Sequence, residues 1–223
     1  MPMSSTEPIG ILYKDDHLCI VNKPAGMPVQ PDGTGDPSLL DLVSEQMRSD
    51  PIGLVHRIDR PVSGVVLFAL DQHTLRIMNE QFKERRVHKI YWAIVEGKWE
   101  GSEHTLEHWL QHDAKAKKAR ISKKSEGESS RLKARLLAQG DRFALIEVIP
   151  EGGAFHQIRA QLAAAGHPIK GDVKYGARRG EKDRSISLHA HSIQFHHPAT
   201  DELLLIEAPA RRDGIWPVLV GKI

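Results

Sequence analysis

The chain has a single cysteine, Cys19, in 223 residues, so no internal disulfide can form. A reducing, cytoplasmic setting is the expectation that follows. Long apolar runs are missing too: the longest, residues 64–70 and 203–206, are strand length, far short of the roughly 20 residues that cross a bilayer. This predicts no membrane partner. The opening residues MPMSSTEPIG have neither a basic start nor an apolar stretch, so residues 1–8 read as a short flexible leader and not as a secretion signal. No segment repeats and no Pro- or Gly/Ser-rich linker interrupts the chain, which predicts one domain over residues 9–223. Core material, by contrast, is present. The 40% apolar share, taken with 18 glycines, lies in the globular range and excludes wholesale disorder or a fibrous repeat.

An overall excess of charge is also absent, since 31 Lys and Arg stand against 29 Asp and Glu for a net +2. The total hides an uneven distribution. Residues 113–135 hold nine bases and three acids, a net +6, which leaves −4 for the other 200 residues. Lys117, Lys118, Lys123 and Lys124 lie at the centre of that window. Two smaller basic clusters flank it, one with Lys83, Arg85, Arg86 and Lys89, the other with Lys174, Arg178, Arg179, Lys182 and Arg184. Concentrated basic surface suits a polyanion, because each phosphate neutralised releases counterions. It equally suits a solvated loop, and the charge count does not choose between the two.

Apolar or alternating runs bounded by Gly, Pro, Asp or Asn predict strands at residues 9–13, 18–22, 65–70, 89–96, 132–138, 143–149, 192–195 and 203–208. Three helices are expected among them. Residues 38–47 follow Asp36-Pro37 and carry Leu39, Leu40, Leu42 and Val43, while residues 72–85 align Leu75, Met78 and Phe82. Residues 154–165 align Ile158, Leu162 and Ala165 and close on Gly166 and Pro168. The basic stretch near residues 122–130 reads as a mobile loop. Strands outnumber helices and some are joined by tight turns, as at residues 138–143, so the predicted class is α+β: a mixed, mainly antiparallel sheet with packed helices.

Three segments carry groups suited to chemistry. In HRIDRPVSG, residues 56–64, one carboxylate, Asp59, lies between Arg57 and Arg60 just before a buried strand. Neighbouring guanidinium groups favour the ionised form, which suits a nucleophile or base, and Pro61 stiffens the loop. The plainer reading is a turn capped by a surface salt bridge. His156 and Arg159 lie three apart on the third predicted helix, hence on one face, from which Arg159 can point either into a cleft or into solvent. Lys89 and Tyr91 share a face of one strand, where a tyrosine is most often a core residue with a wet hydroxyl.

In their order along the chain these segments resemble the RNA pseudouridine synthase family, in particular the RluA-type branch acting on ribosomal and transfer RNA, whose central motif reads HRLD. ILYKDDHLCIVNKPAGMPV is similar to that family's opening strand pair with its NKPxG turn, and HRIDRPVSG to its catalytic loop. KIYWAIVEG, HQIRAQLAAAGHPIKGDVKYG and LHAHSIQFHHP are similar to its later strand, helix and closing strand. The resemblance implies a pseudouridine synthase fold with a central cleft, and an isomerase that turns specific uridines into pseudouridine after flipping the base. It implies Asp59 as the catalytic carboxylate, attacking the uridine or taking a ribose proton. Tyr91 would lie against the uracil as a base at C5, and Arg159 would pair with Asp59. Arg57 would fill the gap left by the flipped nucleotide, with His56 and Arg60 beside it. The basic residues Lys117, Lys118, Lys123 and Lys124 would hold RNA backbone. No cofactor and no metal are expected, and the partner is RNA, bound by a monomer without an obligate protein partner. The sequence departs from the family pattern at Ile58, at Val62, and at residues 151–155, where EGGAF lacks an arginine. The small N-terminal RNA-binding domain of many relatives is not expected here.

The residues also admit two rival readings. His104, Glu107 and His108 fit the H-x-x-E-H pattern of a zinc peptidase, with His112 one turn further, provided that the segment is helical. A noncatalytic RNA-binding module would keep the cleft and lose the chemistry, which the presence of Asp59, Tyr91 and Arg159 argues against.

Overall fold

A computed structural model describes residues 8–48 and 53–223, so the expected leader lies outside the described residues except for Pro8. In chain order the elements begin with β1 (Gly10–Lys14), β2 (Leu18–Lys23), α1 (Leu39–Met47), β3 (Gly53–Leu54), β4 (Ser63–Ala69), α2 (Gln72–Lys83) and β5 (His88–Glu96). They continue with β6 (Glu103–Asp113), β7 (Lys118–Ser122), β8 (Glu128–Gln139), β9 (Phe143–Pro150) and α3 (Gln157–Ala164). After a short 3-10 turn, β10 (Leu188–His196), β11 (Leu203–Glu207) and α4 (Trp216–Val220) complete the chain. The class is α+β as expected, with eleven strands among the described residues and antiparallel pairing throughout the registers that follow. The chain clusters into two compact units, Met1–Lys89 with Ala190–Pro209, and Ile90–His189 with Ala210–Ile223. Two of the three passages between units fall inside β5 and β10, which is why no Gly- or Pro-rich linker marks them.

In the first unit the strands run β1-β2-β4-β10, with β3 also on β4 and β11 also on β10. β4 is buried along its whole length, and its apolar run SGVVLFA pairs with β2 through Ile20↔Leu67 and Val21↔Val66. A strand buried on both faces needs this unbroken apolar composition. Leu18, Ile20, Val65, Leu67, Met78 and Phe195 form the core, each full burial contributing about 1.5–3 kcal/mol. Helix α2 starts where Asp71 accepts the amide of Thr74 at 2.8 Å, and α1 starts at the capping box of Ser38 and Asp41.

The second unit runs β5-β9-β8-β6-β7, with Ile94, Leu145, Trp216 and Leu219 forming one core cluster. Here two expectations are corrected. The basic stretch is mostly a β-hairpin arm, in which β7 pairs with β6 from Asp113↔Lys118 to Trp109↔Ser122 and β8 begins at Glu128, so the loop expected near residues 122–130 shrinks to residues 123–127. The segment from His104 to His108 belongs to strand β6, not to a helix. At about 3.3 Å per residue its two histidines stand about 13 Å apart along the strand, too far to share a metal, so the peptidase reading fails. Polar composition hid both strands, since β6 has only three apolar residues, Leu106 and Leu110 on one face and Trp109 on the other. Helix α3 lies against this arm, where the amide of buried Gln161 donates to the carbonyls of Leu106 and Ser130, both at 3.0 Å.

Candidate active site

The first unit presents Asp59 on the loop between β3 and β4, half-buried, just ahead of the buried Ser63 and Gly64. The amide of Val62 donates to the Asp59 carbonyl at 3.0 Å and closes the turn that Asp-Arg-Pro predicted. What fixes this turn is its attachment to residues 24–27. Lys23, wholly buried at the end of β2, donates through Nζ to the carbonyls of Pro24 (2.9 Å), Met27 (2.8 Å) and Arg60 (3.1 Å). Gly26 donates its amide to Arg60 O at 2.8 Å, and Arg60 Nε returns a bond to Gly26 O at 2.8 Å. Gly26 itself needs its positive φ of 87° to make this turn. Behind the loop, Gly64 at φ 113° approaches Ala190 so closely that a Cβ would sit 2.2 Å from that residue's oxygen, so only glycine fits the V-S-G step. Ile58 and Val62, both departures from the family pattern, are buried and fill apolar space.

The electrostatics of the loop differ from the expected carboxylate between two arginines. The guanidinium of Arg60 turns to Asp32 at 3.2 Å, to the hydroxyl of Thr34 at 2.9 Å and to Asp36. Lys23 is one charge that couples to Asp59: burial pulls its pKa down to about 7, while the negative charge of Asp59 pulls it up. Sequence reasoning passed over Lys23 because it reads as an ordinary strand-end lysine in NKPAG. His56 is not a surface cation either. Its ring packs on Phe82 with centroids 5.2 Å apart and its Nε2 is buried. Burial, with a smaller contribution from the charge of Lys89, pushes the His56 pKa down to about 3, so the ring is neutral at physiological pH. Arg57 is exposed and in no ion pair among the described residues.

The second unit holds Arg159 in a cage. The side chain is buried, which decides against the solvent-facing alternative. Its Nε and Nη2 donate to the two oxygens of Asp172 at 2.7 and 2.8 Å, a bidentate pair with the carboxylate of the Gly171-Asp172 turn. Nη1 lies 3.0 Å from His156 Nε2, and the guanidinium sits 5.0 Å from the Tyr175 ring centroid. Because arginine only donates, Nε2 of His156 accepts and Nδ1–H donates to the Tyr175 hydroxyl oxygen at 2.8 Å. That oxygen also accepts the amide of Ala119 on β7 at 2.7 Å. His156 does not belong to the helix proper but caps it in a left-handed conformation at φ 53°, and the pairing with Arg159 survives that difference. Asp172 was the missed partner, its only sequence signal being the GD pair ahead of Val-Lys-Tyr. Tyr91 is half-buried on β5, opposite Val148 of β9.

Of the arm lysines, Lys117 occupies the β6–β7 turn at φ 48°, Lys118 is half-buried at the start of β7, and Lys123 and Lys124 are exposed beyond it. The ammonium of Lys124 lies 5.8 Å from the Trp109 ring centroid. Part of the arm's charge is spent internally, since Arg120 pairs with Asp113 and Arg131 and Arg135 with Glu107 and Glu147. None of Lys117, Lys118, Lys123 and Lys124 is in an ion pair among the described residues.

An aspartate loop pinned at the mouth of a buried strand, with a caged arginine and a basic arm elsewhere in the chain, accords with one class of RNA-modifying enzyme, to which similarity to known proteins assigns the chain. The RNA pseudouridylate synthase family matches residues 17–164, and the chain belongs to it: it is an isomerase that forms pseudouridine in RNA. Among its relatives, ribosomal large subunit pseudouridine synthase C of Vibrio parahaemolyticus serotype O3:K6 (strain RIMD 2210633) is 35% identical, covering 95% of this chain and 68% of that protein. The uncharacterized RNA pseudouridine synthase YhcT of Bacillus subtilis (strain 168) is 32% identical over 92% of this chain and 70% of its own length. In structure the chain is similar to human RNA pseudouridylate synthase domain containing 1, with a TM-score of 0.82 and 25% identity over 100% of this chain and 90% of that one. The chain spans about two thirds of the length of these sequence relatives.

Proposed function

We propose that the chain isomerises uridines of large-subunit ribosomal RNA with Asp59 as its catalytic carboxylate. The observation that carries the reading is the double attachment of the Asp59 turn to residues 24–27 by Lys23 and Arg60, which holds a half-buried carboxylate at a fixed place. A residue that must act on one bond of a flipped nucleotide needs such preorganisation. The choice of ribosomal RNA is supported by the names of several relatives and concerns those proteins first.

In the reaction the N1–C1′ bond breaks, the uracil turns, and a C5–C1′ bond forms. The C5 proton departs and N1 gains one, so the sum is redox-neutral and consumes no co-substrate. Asp59 attacks the uridine or removes a ribose proton, and Tyr91 serves as the base at C5. Arg159, held by Asp172 and His156, supplies a fixed positive charge for the carboxylate step. Arg57, exposed on the same loop as Asp59, occupies the gap left by the flipped base, whose unstacking costs a few kcal/mol. Lys117, Lys118, Lys123 and Lys124 hold phosphates of the RNA.

Asp59→Asn is expected to bind ribosomal RNA as the natural protein does and to make no pseudouridine. Tritium release from C5-labelled uridine transcripts measures this, and release retained by the variant would overturn the assignment. Mapping pseudouridine in ribosomal and transfer RNA, with and without the gene, tests the substrate: a lost site in transfer RNA alone would overturn the ribosomal choice.

A further inference from the structure

Tyr175 apart, the basic cluster of residues 174–184 has no part in the site described above. Lys174, Arg178, Arg179, Lys182 and Arg184 are all exposed, five bases within eleven residues. The two acids interspersed with them, Glu181 and Asp183, are turned to internal partners. Glu181 pairs with Lys170. Asp183 pairs with Arg211 at 3.2 Å, and Arg211 also donates to the Ser185 hydroxyl at 2.8 Å. The bases therefore face solvent while the acids are occupied, so the field outside the segment is more positive than its composition suggests.

The segment is also fixed at several points. Ser187 donates its amide to Lys170 O at 2.9 Å, and Arg178 donates its amide to Glu96 Oε1 at 3.0 Å. Gly171 at φ 90° lets Glu181 and Ser185 close in, where a Cβ would lie 2.9 Å from Glu181 Cγ. The ion pair of Arg178 with Glu96 is long, at 3.9 Å, and the Arg178 side chain is 90% exposed, so such a weak surface pair leaves the guanidinium open to an incoming phosphate. Lys174 ties the segment to the arm, donating through Nζ to the carbonyl of Lys117 at 3.0 Å. Lysines and arginines crowded on a fixed segment repel one another, a standing cost that a solubilising loop avoids by moving.

We infer that residues 174–184 form a second, preformed binding face for RNA phosphates, joined to the turn of the basic arm through Lys174 and distinct from the lysines at 117–124. It rests on the reading of the chain as an RNA enzyme, and it concerns the RNA that flanks the target uridine.

The test compares the natural protein with the variant Arg178→Gln, Arg179→Gln, Lys182→Gln, Arg184→Gln, leaving Lys174 in place to keep the segment attached. The probe is an in vitro transcript of large-subunit ribosomal RNA, with binding measured by filter retention across a potassium chloride series. The plot of log affinity against log salt is expected to flatten by about three in slope, and kcat/KM to fall about tenfold or more, with the loss in KM. The two half-variants, at 178–179 and at 182–184, should each flatten it by about half as much, which keeps the result readable should the fourfold variant melt early. A slope within half a unit of the natural protein overturns the inference. A natural protein that forms no pseudouridine on this transcript overturns the ribosomal substrate instead, and the salt slope then still decides the face.

Discussion

Lys23 and Arg159 are both buried cations, one in each unit, and the molecule satisfies them by opposite means. Lys23 has three carbonyl oxygens for its three ammonium protons, and the charge of Asp59 only partly offsets its burial. Arg159 has a bidentate carboxylate, an imidazole acceptor and an aromatic face. The difference follows from the two side chains. A lysine can release a proton when burial becomes too costly, so carbonyl dipoles suffice for it. An arginine cannot, and a buried guanidinium needs an anion. Lys23 thus works as a staple whose charge is adjustable, and Arg159 as a charge that is permanent.

The comparison breaks first if Asp172→Asn is tolerated. That change leaves a permanent buried charge without its anion and is expected to cost about 3–5 kcal/mol, read from urea denaturation. Lys23→Met is expected to cost less, about 2–3 kcal/mol, because it strands the carbonyls of Pro24 and Met27 while Arg60 O keeps the Gly26 amide. A cost equal to that of Asp172→Asn would show that the carbonyl staple is as demanding as the ion pair. The pH dependence sharpens the contrast. The pKa of Lys23 is about 7 in the folded chain against 10.5 as the ordinary value, so between these limits the unfolded chain binds more protons. Stability should therefore gain a rising component from about pH 7 to about pH 10.5, and Lys23→Met should lack it when denaturation midpoints are compared across that range. Tyr175→Phe gives the smallest effect, about 1 kcal/mol, since it removes the oxygen that accepts from Ala119 and His156 but keeps the ring beneath Arg159. Faster amide exchange at Ala119 would accompany it.

Much of the frame is legible in composition and spacing. The run Ser63-Gly-Val-Val-Leu-Phe-Ala reads as a buried strand, and Leu39, Leu40, Leu42 and Val43 after Asp36-Pro37 read as the helix that becomes α1. Asp59 stands out because a lone acid among arginines ahead of that strand is an unusual arrangement. β6 and β7 escape notice because few residues, such as Leu110 and Ala119, make up the apolar face that packs on α3, too few to betray the period. The commitments of individual charges escape for a different reason. Arg60 is next to Asp59 in sequence, yet its guanidinium goes to Asp32 and Asp36, 28 and 24 residues away. Adjacent side chains on an irregular loop have no fixed common direction, so adjacency predicts proximity of the backbone and not of the charges.

The sequence by itself determined the α+β class, the order of most strands, the family and the aspartate on which the chemistry is proposed to turn, because each is carried by local pattern. Tertiary structure decided which partner each buried charge takes: Asp172 for Arg159, three carbonyls for Lys23, Asp32 and Asp36 for Arg60. It also decided that the basic segments are a hairpin arm and a pinned surface segment. Those outcomes depend on residues far apart in the chain meeting at about 3 Å, and only the folded backbone sets such distances.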